Sequence, residues 1–297
     1  MSRAPLVVLA GLGLLVLLLV LAAIHAGTYS VDDLARRAPR RTAVMLQRER
    51  EAREHGRHFH VDQRWVPYGA VSPLLRRAVL VAEDDAFYSH SGLDWGEIRA
   101  SARENLEARR VVRGGSTITQ QLAKNLFLGD HRSPMRKLEE VFLAIRLERA
   151  LSKRRILELY LNEIEWGDGV FGIEAAARRY FGVPSGALDE RQALLLAAVI
   201  INPRRFSPLH PQRRIERRVR MIAGRLHGRG FLTEDQYLVA IGKPPPPRHE
   251  LPGFLRWLFG GGEKKEEKPY MHAAPDSAAA ESAAGGLSPT DTLAPPP

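Results

Sequence analysis

Two carboxylates and one glycine-led polar helix are the parts of this chain equipped for chemistry. Glu83 ends an apolar stretch (Leu74, Leu75, Ala78, Val79, Leu80, Val81, Ala82) that Ser72-Pro73 opens, with proline at the first helical position. A helix apolar nearly all round is buried. The stretch therefore predicts a carboxylate at the end of a buried helix, followed by Asp84, Asp85, Phe87, His90, Gly92 and Asp94. Burial, a helix C-terminus and neighbouring carboxylates all disfavour the charged form and raise the pKa of Glu83. A raised carboxylate suits a general base or acid. The alternative is a helix end followed by a solvated acidic loop.

The second acid is Glu140. The pattern from Arg136 to Arg149 is helical, with Leu138, Val141, Phe142 and Ile145 on one face and Leu143, Ala144 and Leu147 on the other. Glu140 projects with the latter group, one turn from Arg136, whereas Glu139 shares a polar stripe with Arg146. Glu140 is thus the expected buried acid of the pair, with Arg136 or Lys137 as its cation. It reads equally as a structural ion pair. The third feature is Arg113-Gly114-Gly115-Ser116-Thr117-Ile118-Thr119-Gln120-Gln121-Leu122-Ala123-Lys124-Asn125. Ser or Thr before a periodic apolar run marks a helix N-cap. Ile118, Leu122 and Leu126 form the packing stripe. Thr117, Gln120, Gln121 and Lys124 lie opposite, with Asn125 nearer the edge. Flexible glycines, a helix N-terminus and an ammonium group together suggest a phosphate or pyrophosphate seat, the alternative being a capped surface helix.

The elements that must position these residues follow from composition. The chain has 297 residues, 44 Lys+Arg against 34 Asp+Glu, a net charge of +10 and no cysteine. Disulfides, thiolate metal sites and a cysteine nucleophile are excluded. The positive balance suits phosphate ligands, anionic lipid or nucleic acid. Leu6 to Ile24 is apolar throughout, long enough for the ~30 Å hydrocarbon core of a bilayer. Leu21 or Ile24 falls at −3 of the obvious cleavage points, so the segment reads as an uncleaved anchor. Arg3 precedes it and Arg36, Arg37, Arg40 and Arg41 follow, which leaves its orientation open. Residues 1–27 are then stub and anchor, 28–64 a charged juxtamembrane linker or helix, and 65–242 a mainly α-helical domain without convincing alternating strands. Residues 243–297, rich in Pro and Ala, form an expected disordered tail.

With these residues in place, the chain resembles the family-51 peptidoglycan glycosyltransferases, which polymerise lipid II. The resemblance covers about residues 65–240 in five ordered blocks. They are Glu83 to Gly92; Gly114 to Leu122 with Lys124-Asn125; and Arg136-Lys137-Leu138-Glu139-Glu140. The fourth is Ile156 to Asn162 with Gly167, Gly172, Ala176 and Tyr180-Phe181-Gly182. The fifth is Leu195 to Ala198 with Pro203 and Ser207-Pro208. Phe171 stands where the family often has Tyr, and Val183-Pro184 where Lys is usual.

The resemblance implies a lysozyme-like, mainly α fold with a smaller membrane-proximal jaw lobe. The jaw would fall near residues 93–135, with Leu126-Phe127-Leu128 dipping into lipid. It implies that Glu83 is the general base and Glu140 the second essential glutamate. Ser116, Gln120, Lys124, Asn125, Arg132 and Lys137 match positions lining the donor pyrophosphate and nearby sugar, with Thr117, Gln121 and Arg136 beside them as binding candidates. Glu140 would organise the cations or a bound divalent ion (Mg or Mn), and no tightly bound cofactor is expected. The implied partners are lipid II, the growing glycan strand, membrane lipid and other cell-wall synthesis proteins, not nucleic acid. The implied location is the outer, periplasmic face of the cytoplasmic membrane, on a single-pass anchor.

Other classes make different demands. A lysozyme or lytic transglycosylase needs a catalytic acid but no pyrophosphate seat. A non-enzymatic module binding DNA or anionic lipid has only the net charge in its favour, since no recognised nucleic-acid motif is present. A bifunctional penicillin-binding protein needs a Ser-x-x-Lys motif, which is absent from the 297 residues.

Overall fold

The computed structural model describes residues 4–109, 114–131 and 133–245. The expectation for the tail lies outside them from residue 246 onward. Helix α1 (Ala4–Gly27) contains one segment, Val7–Gly27, long and apolar enough to cross a membrane, with a mean hydropathy of 3.1. Most of it is uncovered by protein, but Ala22 and Ala26 are fully buried against a later helix.

The segment expected as a linker folds onto the domain. Helix α2 (Ala43–Glu54) starts at Thr42, whose hydroxyl accepts the Met45 amide at 3.2 Å. Val44, Met45 and Ala52 are buried among the charges, and Val44 and Met45 pack with Phe171, Phe59 and Val61. The apolar stripe is short, so the charged residues around it mask it in the sequence. β1 (Asp62–Gln63) follows.

The core begins with α3 (Pro73–Glu83), opened as expected by Ser72, which caps the Leu75 amide. Leu75, Ala78, Val79 and Val81 are buried, while Leu74, Leu80 and Ala82 are half-buried. Next come α4 (Trp95–Glu107), α5 (Ile118–Ala123) and a π-helical turn over Lys124–Leu128. Then follow α6 (Pro134–Ala150), α7 (Lys153–Glu163), β2 (Glu165–Gly167), β3 (Val170–Phe171) and α8 (Ile173–Phe181). The described residues close with α9 (Glu190–Val199), α10 (Arg213–Gly228) and α11 (Glu234–Ala240). Helix α9 is buried from Ala193 to Val199 and packs against α3, α10 and α11. The three strands pair in the order β1-β3-β2, with Asp62 opposite Val170 in the parallel pair. At two or three residues each they are too short to show a period of two.

The π turn corrects one expectation. Leu126 and Leu128 are buried in the core, and the Phe127 ring lies 5.1 Å from that of Tyr29 just beyond α1. Two of the three residues are thus packed within the protein and Phe127 is half-buried, which leaves little apolar surface there for lipid. Helix α4 shows the opposite pattern: Ser101 is its only buried residue, and Trp95 and Leu106 are 61% and 79% exposed. Trp95, Ala102 and Leu106 recur at i, i+7 and i+11 and so share one exposed face.

Candidate active site

The last turn of α3 presents Glu83 to a cleft. One carboxylate oxygen accepts from Arg218 of α10, and the other accepts from Gln121 Nε2 at 3.0 Å. Gln121 is itself oriented, because its Oε1 accepts the hydroxyl of the fully buried Tyr160 at 2.8 Å. Burial pushes the Glu83 carboxyl up, against the opposing pull of Arg218, Gln121 and Lys124. Thus burial acts in the expected direction, while the countering arginine comes from 135 residues away.

The acids after Glu83 are not a solvated loop. Asp85 pairs with Arg229 through both oxygens. Asp84 is buried and bonded to His90 Nε2 at 3.0 Å. The Gly92 amide donates to His90 Nδ1 at 3.2 Å, so the hydrogen directed at Asp84 sits on Nε2. Asp84 Oδ2 also accepts the Ile118 amide at 2.9 Å, at the start of α5. The N-terminus of α5 therefore already holds an anion, supplied by the protein. Thr117, rather than Ser116, is the N-cap. Thr117 and Gln120 form a reciprocal capping box and are buried, and the Thr117 hydroxyl also donates to the Gly92 carbonyl at 2.7 Å. Gly114 is open to solvent. Gly115 passes α4, where an added Cβ would sit 3.3 Å from Ser101 Oγ and 3.4 Å from the Glu97 carbonyl oxygen.

Glu140 is buried between Arg136, at 2.9 Å, and Lys137. The Lys137 ammonium also donates to Ser116 Oγ at 2.9 Å, tying α6 to the glycine loop. Its neighbour Glu139 is buried too, beside His25 of α1 at 3.0 Å. The helical pattern puts Glu139 on a polar stripe with Arg146, and the anchor covers that face. Arg132 lies outside the described residues.

Two cavities adjoin at Glu83. One, of about 640 Å³, is lined by Arg48, Gln121, Lys124, Asn125, Tyr160 and Arg204 among others. The second, of about 650 Å³, is lined by Glu83, Gly114, Gly115, Ser116, Arg218 and Arg225 among others. Ile201 lines both, and the Gln121–Glu83 hydrogen bond joins their walls. The candidate ligand groups thus fall into two sets. Lys124, Asn125 and Gln121 belong to the first cavity. Ser116 lines the second and bonds Lys137, which Glu140 and Arg136 adjoin. The Asn125 amide donates to the Gln121 carbonyl at 2.8 Å. Arg218 and Arg225 of α10 and Arg229 just past its end, which sequence reasoning missed, recur at i, i+7 and i+11 and face the end of α3. That spacing was readable, but its target was not.

Among the described residues, no group of three or more His, Asp or Glu is placed to hold a metal ion. Both oxygens of Glu140 are engaged by cations. This donor set does not fit a divalent ion.

Residues 50–227 match the transglycosylase family model. The chain is 46% identical over 189 residues to a biosynthetic peptidoglycan transglycosylase of Laribacter hongkongensis, covering 64% of this chain and 83% of that protein. It is 42% identical over 214 residues to a protein of the same name from Nitrosomonas eutropha, covering 71% and 88%. A third of that name, from Methylobacillus flagellatus, is 50% identical over 166 residues, covering 56% and 72%.

Proposed function

The chain belongs to the transglycosylase family, and from that premise we propose that it is a membrane-anchored peptidoglycan glycosyltransferase that polymerises lipid II. The observation that carries the chemistry is Glu83, a carboxylate only 11% exposed at the junction of two cation-lined cavities. The 4-hydroxyl of an incoming sugar is a weak nucleophile and must lose its proton as it attacks. The proton passes to Glu83 while the oxygen bonds to C1 of the donor. The bond from C1 to the diphosphate oxygen breaks, and the diphosphate leaves with the electron pair. Direct displacement inverts C1 and gives a β-1,4 link. The leaving group needs charge neutralisation more than a proton. Lys124 on one side, and Lys137 with Ser116 on the other, are the described groups placed for it, with Arg132, Asn125 and Gln121 as further binding residues. Glu140 holds Arg136 and Lys137 in position.

The anchor α1 crosses the cytoplasmic membrane once, with residues after 27 on the outer face. The membrane contact of the jaw falls to the Trp95–Leu106 face of α4, flanked by the exposed Arg99 and Arg103. The deciding experiment incubates the detergent-solubilised protein with labelled lipid II and separates polymer from starting material. The parent is expected to form polymer, and Glu83→Gln to lose about 10²–10⁴-fold in rate with its fold intact. No polymer from the parent would refute the function, and near-parental turnover by the variant would refute the role of Glu83.

A further inference from the structure

Arg48 of α2 lies just before the residues that match the family model, yet it is the most connected cation beside the first cavity. Its side chain is buried. Nε donates to Glu165 Oε2 at 3.1 Å, Nη1 to Glu51 Oε1 at 3.1 Å, and Nη2 to Asp130 Oδ2 at 3.2 Å. Asp130 is shared: its other oxygen receives the Lys124 ammonium at 3.4 Å. Its backbone amide donates to Gln47 Oε1 at 2.6 Å, so α2 grips the loop after the π turn twice. Gly129, at φ +76°, lets that loop through; a Cβ there would lie 2.7 Å from Gln47 Oε1. Burial raises the Asp130 pKa, but Lys124 and Arg48 outweigh it, and the carboxyl stays below its usual range and charged.

We propose that Arg48 is a positioning residue for the diphosphate: by holding Asp130 it keeps Lys124 available in the cleft. The argument is one of charge division. Arg48, Lys124 and Arg204 face Asp130, Glu51, Glu165 and Asp168 within one bonded network, so the cations are already outnumbered. Asp130 has two cationic partners, so its contact with Lys124 is long, and the ammonium can turn to a second anion. Without Arg48, Asp130 has Lys124 alone. It then closes on that ammonium, and an uncompensated negative charge remains beside the cavity that must take a diphosphate. The first cavity, not the second, bears the loss.

This inference rests on the proposed diphosphate chemistry, so binding and polymerisation are measured separately. The probe is undecaprenyl diphosphate, titrated into full-length protein in detergent. Arg48→Ala is expected to weaken binding roughly tenfold, the scale of one unbalanced charge a few ångströms from a partly screened ligand. Arg48→Ala with Asp130→Asn should recover most of that loss, because the stranded charge is gone. In turnover the single variant should raise KM more than it lowers kcat. Unchanged affinity in Arg48→Ala, or no recovery in the double variant, overturns the proposal. If Arg48→Ala does not fold, Arg48→Gln, which keeps the stem and one donor for Glu165, is read by the same outcomes. A parent that binds the probe but makes no polymer refutes the polymerase reading and leaves the binding comparison to decide the role of Arg48.

Discussion

At Glu83 the balance of burial and charge sets when a base is available. Burial raises its pKa, and Arg218, Gln121 and Lys124 pull it down. A general base works ionised, so a raised pKa moves the acid limb of the rate profile upward: activity rises as pH climbs through it. Arg218→Ala removes the largest opposing charge without touching the base. The Glu83 pKa should then rise further, and the acid limb should shift to higher pH, with part of the lost activity recovered in alkaline buffer. A pH–rate profile of kcat/KM checks this, and an acid limb that stays in place would show that Arg218 does not tune the base. The position of Glu83 was legible because Ser72, Pro73 and the apolar run frame it within a dozen residues. Its partners were not, because Arg218 reaches it only through the packing of α10, and Gln121 is held toward it by Tyr160 of α7. The capping box at Thr117 and Gln120 is local by contrast, and its Thr-x-x-Gln spacing is readable in the sequence.

At the scale of elements, the anchor is part of the domain. Ala22 and Ala26 are fully buried, Arg146 of α6 donates to the Ala26 carbonyl, and His25 meets Glu139 next to Glu140. In the sequence α1 is legible from its length and apolarity, but the helical domain begins near Trp65, well beyond it, so the anchor reads as separable from the fold. Small residues at Ala22 and Ala26, one turn apart, were the available sign that another helix comes close. Deleting residues 1–27 should therefore cost roughly 2 kcal/mol through lost contacts to α6. That is a fall of about 4–8 °C in melting temperature for a domain of this size. Activity should drop as well, because α6 carries Glu140 and Lys137. The truncated protein should still float with anionic liposomes through α4. Adding Trp95→Ser and Leu106→Ser should reduce that flotation about tenfold or more, since each side chain contributes up to a few kcal/mol when buried in lipid. An unchanged melting temperature would show that the anchor is only a tether, and unchanged flotation would place membrane contact elsewhere.

Across the whole molecule, the +10 balance says little until the pairs are seen. Arg48, Arg204 and Arg229 are engaged by acids from distant segments, and the family's five blocks carry no trace of which cation meets which acid. Among the described residues, Glu163 is a buried acid with no cation hydrogen-bonded to it. Glu163 ends α7 with no exposure, takes one hydrogen bond from Gln63 Nε2 at 3.1 Å, and leaves Oε1 without a partner. Burial, opposed only by Gln63 and a distant Arg155, lifts its pKa from 4.5 to about 8. The folded state then keeps a proton that the unfolded chain releases near 4.5. The sign follows: this group's contribution is fully present below about 4.5 and is lost as pH rises toward about 8. Within that window it removes up to about 1.4 kcal/mol of stability per pH unit. Glu163→Gln keeps the shape of the protonated acid but cannot ionise. It should match the parent near pH 5, melt several degrees higher near pH 8, and flatten the fall of melting temperature between them. Equal slopes for variant and parent would mean that Glu163 already ionises in the folded protein, and that the α7–β2 junction holds a charge with one neutral donor.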